Sequence, residues 1–334
     1  MDEVLSLGYN EVSGLTIAQR AGYTLALAHL RGYALPVDRL PCLLLGGPEP
    51  AGVVREAISG QSRIILRDGL ACLRGSEGLL HATQERLSSH PGLEGSFARL
   101  ARSYARELVG ALPTVECVAV AGSLSSGGLC SGDDIDFNLF VRDGSKFLSY
   151  LASLMLAGRY GLGAARGGNG NGSLGGAGAA AASHPMPLPL ITKRICINVI
   201  WERAEARPFA RRDAALAFEI LNSRPIHNSR YFDEVVARNR WLLSYFPQIA
   251  ARHPAEELAP PGNGRLVSGV LGGLARAGLG EGLSRRAVGM LHSLVAGYRE
   301  AYPESRACAR RKELLKHPYG LLELPGTPWR GREA

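Results

Sequence analysis

Residues 117–141 read CVAVAGSLSSGGLCSGDDIDFNLFV, and this stretch limits the possible folds more than any other in the chain. An apolar run at 118–121 ends in Gly122-Ser123, a loop of small residues follows, and Asp134-Ile135-Asp136 opens a second apolar run. Alternate residues of a strand face the same side, so Asp134 and Asp136 share a face while Ile135 turns to the core. Two carboxylates on one face suit divalent cations, which in two-metal sites lie about 3.5–4 Å apart and stabilise the attacking and leaving oxygens at phosphorus. The backbone N–H groups and hydroxyl of Gly122-Ser123 suit phosphate oxygens. Asp136 sits between Ile135 and Phe137, where an uncompensated carboxylate is costly and a cation offsets that cost. The competing structural reading is a hairpin whose aspartates are turn residues.

The order hydrophobic-Gly-Ser, a loop of about ten residues, then Asp-hydrophobic-Asp-hydrophobic resembles the DNA polymerase β-like nucleotidyltransferase superfamily, in particular bacterial members carrying an N-terminal winged helix. The resemblance covers about a third of the chain. It implies a mixed sheet flanked by helices, Gly122 and Ser123 against the phosphates of an NTP such as ATP, and Asp134 and Asp136 as ligands of Mg2+ or Mn2+. The implied reaction moves a nucleoside monophosphate to an acceptor hydroxyl and releases pyrophosphate. Asp133 departs from the usual Ser or Thr and adds a third carboxylate to the motif.

The superfamily's third acid normally lies on a later strand. Here the corresponding strand is predicted at 195–201, ICINVIW, whose central polar residue is Asn198. An Asn carbonyl coordinates a hard cation but brings no charge and no general base. Asn198 is therefore the expected third catalytic position, with Glu202, four residues on, as the substitute. A second reading stays open: a catalytically degenerate transferase fold acting as a regulator that binds DNA or protein.

Charge is unevenly placed. Of a net +8, residues 193–334 carry 23 Lys/Arg against 14 Asp/Glu, while residues 1–90 carry 8 against 9. The basic C-terminal region suits a triphosphate, an acidic acceptor or a nucleic-acid backbone; a solvated arginine-rich surface accounts for it equally well. Six cysteines without C-x-x-C spacing read as reduced core thiols of a cytoplasmic protein and argue against zinc. The acidic N-terminus lacks the pattern of a secretory signal, and no window approaches a membrane span.

The elements predict an α+β chain of three parts. Helices at 15–32, 35–45 and 50–58 and a hairpin at 63–74, turning at Asp68-Gly69, make an N-terminal winged-helix domain at 1–90. Its third helix holds only Arg55 as a cation, which favours protein contact or substrate positioning over DNA reading. A mixed-sheet nucleotidyltransferase domain is expected at 91–207, entered by a helix at 96–112 and containing a disordered Gly/Ala-rich loop at 161–184. Residues 208–334 read as a basic helical domain. Arg211, Arg212, Arg238 and Arg240 are its candidates for holding phosphate.

Overall fold

A computed structural model of the protein describes residues 6–166, 194–251, 258 and 279–301. The fold is α+β. Helix α1 (Ile17–Leu30) opens on a capping box in which the Gln19 N–H donates to Thr16 Oγ1 and the Thr16 N–H donates to Gln19 Oε1. The predicted helix at 35–45 divides: Leu35–Pro36 is a short strand, β1, and only Leu40–Leu43 is helical, as α2. Pro36 accounts for the division, because it fixes φ and supplies no N–H to a helix. Helix α3 (Ala51–Ile58) precedes the hairpin β2 (Ile64–Arg67) and β3 (Leu70–Leu73). Asp68 and Gly69 both take positive φ (52° and 75°) at its turn, the geometry that matches strand twist in a two-residue loop. The three strands pair antiparallel in the order β1-β3-β2.

Helix α4 (Gly78–Ala111) is far longer than the predicted 96–112, and the expected domain boundary at residue 90 falls inside it. Pro91 and two nearby glycines read as breakers, yet tertiary packing carries the helix through them. Its first half buries Leu80 with Ala34, Leu70 and Cys72. Its second half buries Phe97, Ala101, Tyr104 and Leu108 against a second sheet. One helix thus joins two cores.

That second sheet is formed by β4 (Val115–Ala121), β5 (Ile135–Val141), β6 (Ile195–Glu202) and β7 (Arg224–His227) in the order β6-β5-β4-β7. β4 is antiparallel to β5 and β7, while β5 and β6 run parallel. Between β4 and β5 lies the single-turn helix α5 (Gly122–Ser126). Helix α6 (Lys146–Arg166) crosses from β5 toward β6 and makes residues 161–166 helical where a loop was expected. The remainder of that expected loop, 167–184, lies outside the described residues.

The region after 208 is not purely helical, because β7 completes the sheet. Around it are α7 (Arg203–Ala206), α8 (Ala214–Asn222), α9 (Ser229–Arg238) and α10 (Trp241–Tyr245), with α11 (Leu279–Ala301) following. Along β5, Ile135, Phe137, Leu139 and Val141 face α4 and α6, whereas Phe140 faces a core shared by α1, α8, α9 and α10. Leu25 and Leu27 of α1 lie in the same cluster as Phe218 and Phe246, so the N-terminal elements are built into the body of the protein. No helix of the described residues is long and apolar enough to cross a membrane.

Candidate functional site

Two local features fix the motif at the end of β4 and β5. Ala121 pairs with Asp136, so the chain leaving β4 turns directly beside the carboxylate. Gly122 makes that turn at φ 61°, and a Cβ there would stand 2.0 Å from Asp136 Oδ2. Only glycine allows both the backbone conformation and the close approach. The loop then returns through Gly127, also at positive φ, and Ser123 accepts hydrogen bonds at its carbonyl from the Gly127 and Gly128 N–H groups at 3.1 and 3.0 Å.

Asp134 and Asp136 are both half-buried and line one cleft with Gly122, Ser123 and Asn198. The cleft has a volume of about 240 Å3. Asp133 lines the same cleft but is not in the donor group of Asp134 and Asp136. It is paired to Arg86 (2.7 and 3.2 Å) and accepts the Cys130 N–H at 3.0 Å, which pins the loop to α4.

Asn198 reaches the cleft by an irregularity. The β5–β6 ladder shifts register between Phe137 and Asn138: Phe137 pairs with Ile197 and Asn138 with Val199, so Asn198 is the extra residue of a bulge. Its Nδ2 donates to Asn138 Oδ1 at 2.9 Å and to Glu219 Oε1 at 3.1 Å. Asn138 Nδ2 donates to the same Glu219 oxygen at 2.6 Å and to Ser223 Oγ at 2.9 Å. Arg31 pairs with the other Glu219 oxygen. A buried carboxylate from α8, 1 % exposed, therefore sits beneath the site, held by two amides and one guanidinium.

Glu202 is not part of the site. Its carboxylate accepts the Gly144 N–H at 2.9 Å and the Lys146 N–H at 3.3 Å, beyond the other end of β5. The expected substitution of Glu202 for the third acid is thus overturned by its place in the fold. Of the expected phosphate-binding arginines, Arg211 pairs with Asp213, and none of Arg211, Arg212, Arg238 and Arg240 lines the cleft.

Sequence reasoning missed Cys196, Glu219 and three arginines. Cys196 pairs with Asp136 across the β5–β6 ladder, and its Sγ lies with an oxygen of each of Asp134 and Asp136 in a group whose atoms are all within 4.8 Å of one another. Arg31, Arg39 and Arg86 line the cleft from the N-terminal half of the chain. Arg39 donates to the Ser126 carbonyl, and Arg86 donates to the Gly128 carbonyl at 3.0 Å, so both brace the loop between β4 and β5. Glu219 alone carried a readable signal, as the single acid in the apolar helix AALAFEILN.

The cleft is lined by carboxylates and guanidiniums together, with Arg86 paired to Asp133 and Arg31 to Glu219, a mixed environment that suits a cation bridged to a polyanion. A larger hollow of about 470 Å3, lined by Tyr9, Ser13, Arg20 and Gly46, has no acid in its walls and lies apart from this constellation. No family model, curated protein or solved structure matches the chain.

Proposed function

We propose that the protein is a cytoplasmic, metal-dependent nucleotidyltransferase that moves a nucleoside monophosphate from an NTP to an acceptor and releases pyrophosphate. One observation carries the reading: Asp134, Asp136 and the Gly122-Ser123 turn line the same cleft as Arg31, Arg39 and Arg86. The two carboxylates suit the divalent cation, Mg2+ or Mn2+, that the resemblance to DNA polymerase β-like transferases implies, since both lie close enough for one ion. When bound, such an ion neutralises developing charge on the phosphate oxygens. Asp134 and Asp136 would hold it. Ser123 and the adjacent backbone would orient the triphosphate, with Arg39 adding positive charge to the cleft while Arg31 and Arg86 are engaged by Glu219 and Asp133. A volume of about 240 Å3 suits the phosphate end of a nucleotide, with the base extending outward. The N-terminal helices and three-stranded sheet are read as a winged helix whose role is to wall the cleft.

The second reading, nucleotide binding without transfer, is favoured by a specific observation. Of the further acids lining the cleft, Asp133 is bound to Arg86 and the Cys130 N–H, and Glu219 to Arg31, Asn138 and Asn198, so neither stands ready as a base.

Incubating the full chain with each labelled NTP and Mg2+, Mn2+ or Co2+ in turn, with a panel of hydroxyl acceptors, separates the readings. Transfer releases pyrophosphate and disappears in the double variant Asp134→Ala, Asp136→Ala. Calorimetric NTP binding with no pyrophosphate supports the second reading. Absence of NTP binding under every metal refutes both.

A further inference from the structure

The third donor grouped with the two carboxylates is a sulfur, Cys196 Sγ. β5 and β6 run parallel with Asp136 directly opposite Cys196, and side chains of paired residues in a ladder emerge on the same face. Asp134 lies two residues before Asp136 and shares that face. The three donors converge from two adjacent strands, with every donor pair within 4.8 Å. Metal–oxygen bonds of about 2.0–2.2 Å and metal–sulfur bonds of about 2.3 Å let one ion bridge donors separated by up to about 4.5 Å. Small rotamer adjustments bring all three onto one cation. Asn198, the alternative third donor, is displaced into the bulge and turns its amide nitrogen to Glu219.

The identity of the donors decides which ion fits. Mg2+ is small and hard, takes oxygen ligands and keeps much of its water. Thiolate selects softer ions, and a mixed carboxylate–thiolate set belongs to Zn2+, Co2+ and their neighbours. We propose that Cys196 is the third protein ligand of the cation held by Asp134 and Asp136, and that its sulfur makes the site prefer Zn2+ or Co2+ to Mg2+, with Mn2+ between them. The inference rests on the reading of the aspartate pair as a metal site. On ligation the thiol gives its proton to solvent and the thiolate donates to the metal, with no change of oxidation state.

Cobalt reports the ligand directly. Titrating the full chain with Co2+ is expected to produce a thiolate-to-cobalt charge-transfer band in the near ultraviolet. The band persists in Cys130→Ser, a nearby loop thiol outside the donor group, and disappears in Cys196→Ser with at least a tenfold loss of affinity, since loss of a ligand costs no less than the roughly 10–100-fold of losing a ligand's hydrogen-bond partner. Zn2+ displaces the cobalt, and about a hundredfold excess of Mg2+ does not. In Cys196→Asp the order reverses toward Mg2+.

A second measurement uses the unaltered protein, so that a misfolded variant does not decide the matter. Zn2+ should protect Cys196 from alkylation, read by peptide mass spectrometry, with Mg2+ giving no protection and a chelator reversing the effect. Cobalt binding that is abolished by Asp134→Ala yet shows no sulfur band and no thiol protection overturns the proposal and leaves the aspartate site standing. Failure of every divalent ion to bind overturns both.

Discussion

Gly122 and Asp136 are fitted to one another: a Cβ on the glycine would fall 2.0 Å from the carboxylate oxygen and 2.9 Å from its Cγ. Gly122→Ala therefore has two effects. Holding an L residue at φ 61° costs about 1–2 kcal/mol, and the clash pushes Asp136 out of place. The variant is expected to lose about 2–3 kcal/mol in urea unfolding and to lose divalent-ion binding. Adding Asp136→Ala should recover most of the clash component, leaving the backbone strain and a tight 3.1 Å contact with the remaining Cβ. Equal stability of the single and double variants would show that the contact has no energetic weight.

Asn198 is the residue where an acid was expected, and its surroundings explain the amide. Asn198→Asp removes the two donated hydrogen bonds and sets a carboxylate against Glu219 Oε1, now 3.1 Å from the amide nitrogen. We expect a loss of about 3 kcal/mol at pH 8, the scale of lost hydrogen bonds to a charged partner plus like-charge repulsion. The introduced carboxyl has its folded pKa raised by Glu219, so the native state holds a proton that the unfolded state releases. The penalty is complete above that raised pKa and fades as pH falls through it. Denaturation at pH 8 and pH 5 checks the sign: a deficit that grows at pH 5 contradicts this account.

The readable parts of the site were those written in short-range pattern. Gly-Ser and Asp-Ile-Asp announce a turn and a two-residue alternation, and the structure places all four residues on one cleft. Cys196 was hidden because a cysteine in the run ICINVIW is indistinguishable from a core thiol. The bulge that moves Asn198 leaves no trace in alternation, since register is a property of two strands and not of one. Arg31, Arg39 and Arg86 come from segments remote in sequence that α4 and the shared core bring together. The α+β class and the hairpin at Asp68-Gly69 were legible for the same local reason. The length of α4 was not, because Pro91 outweighs neighbouring periodicity until packing is counted.

Arg31 and Glu219 form a buried pair, with side chains 10 % and 1 % exposed. Breaking such a pair leaves a charge without compensation, at about 3–5 kcal/mol, whereas replacing both partners with apolar groups costs far less. Glu219→Ala should therefore be strongly destabilising, with the additional loss of the acceptor shared by Asn138 and Asn198. Glu219→Leu combined with Arg31→Met should be more stable than either single change. A double-mutant cycle in urea reads the coupling directly, and additive effects would mean that the pair is not a unit.

Acid should lower the stability of the fold through His29. His29, in the last turn of α1, has its pKa lowered to about 4 by burial, and its Nε2 is buried without a hydrogen-bond partner. The folded pKa lies below the unfolded value of about 6.5, so the native state binds fewer protons than the unfolded one. Its full contribution to stability is present above pH 6.5 and is lost progressively as pH falls toward 4. Allowing for the side chain's partial exposure, the loss between pH 7 and pH 5 is about 1 kcal/mol. His29→Gln cannot take up the proton and should remove that part of the slope. Urea midpoints for both proteins at pH 7 and pH 5 test it, and parallel shifts in the two would assign the acid sensitivity to other groups.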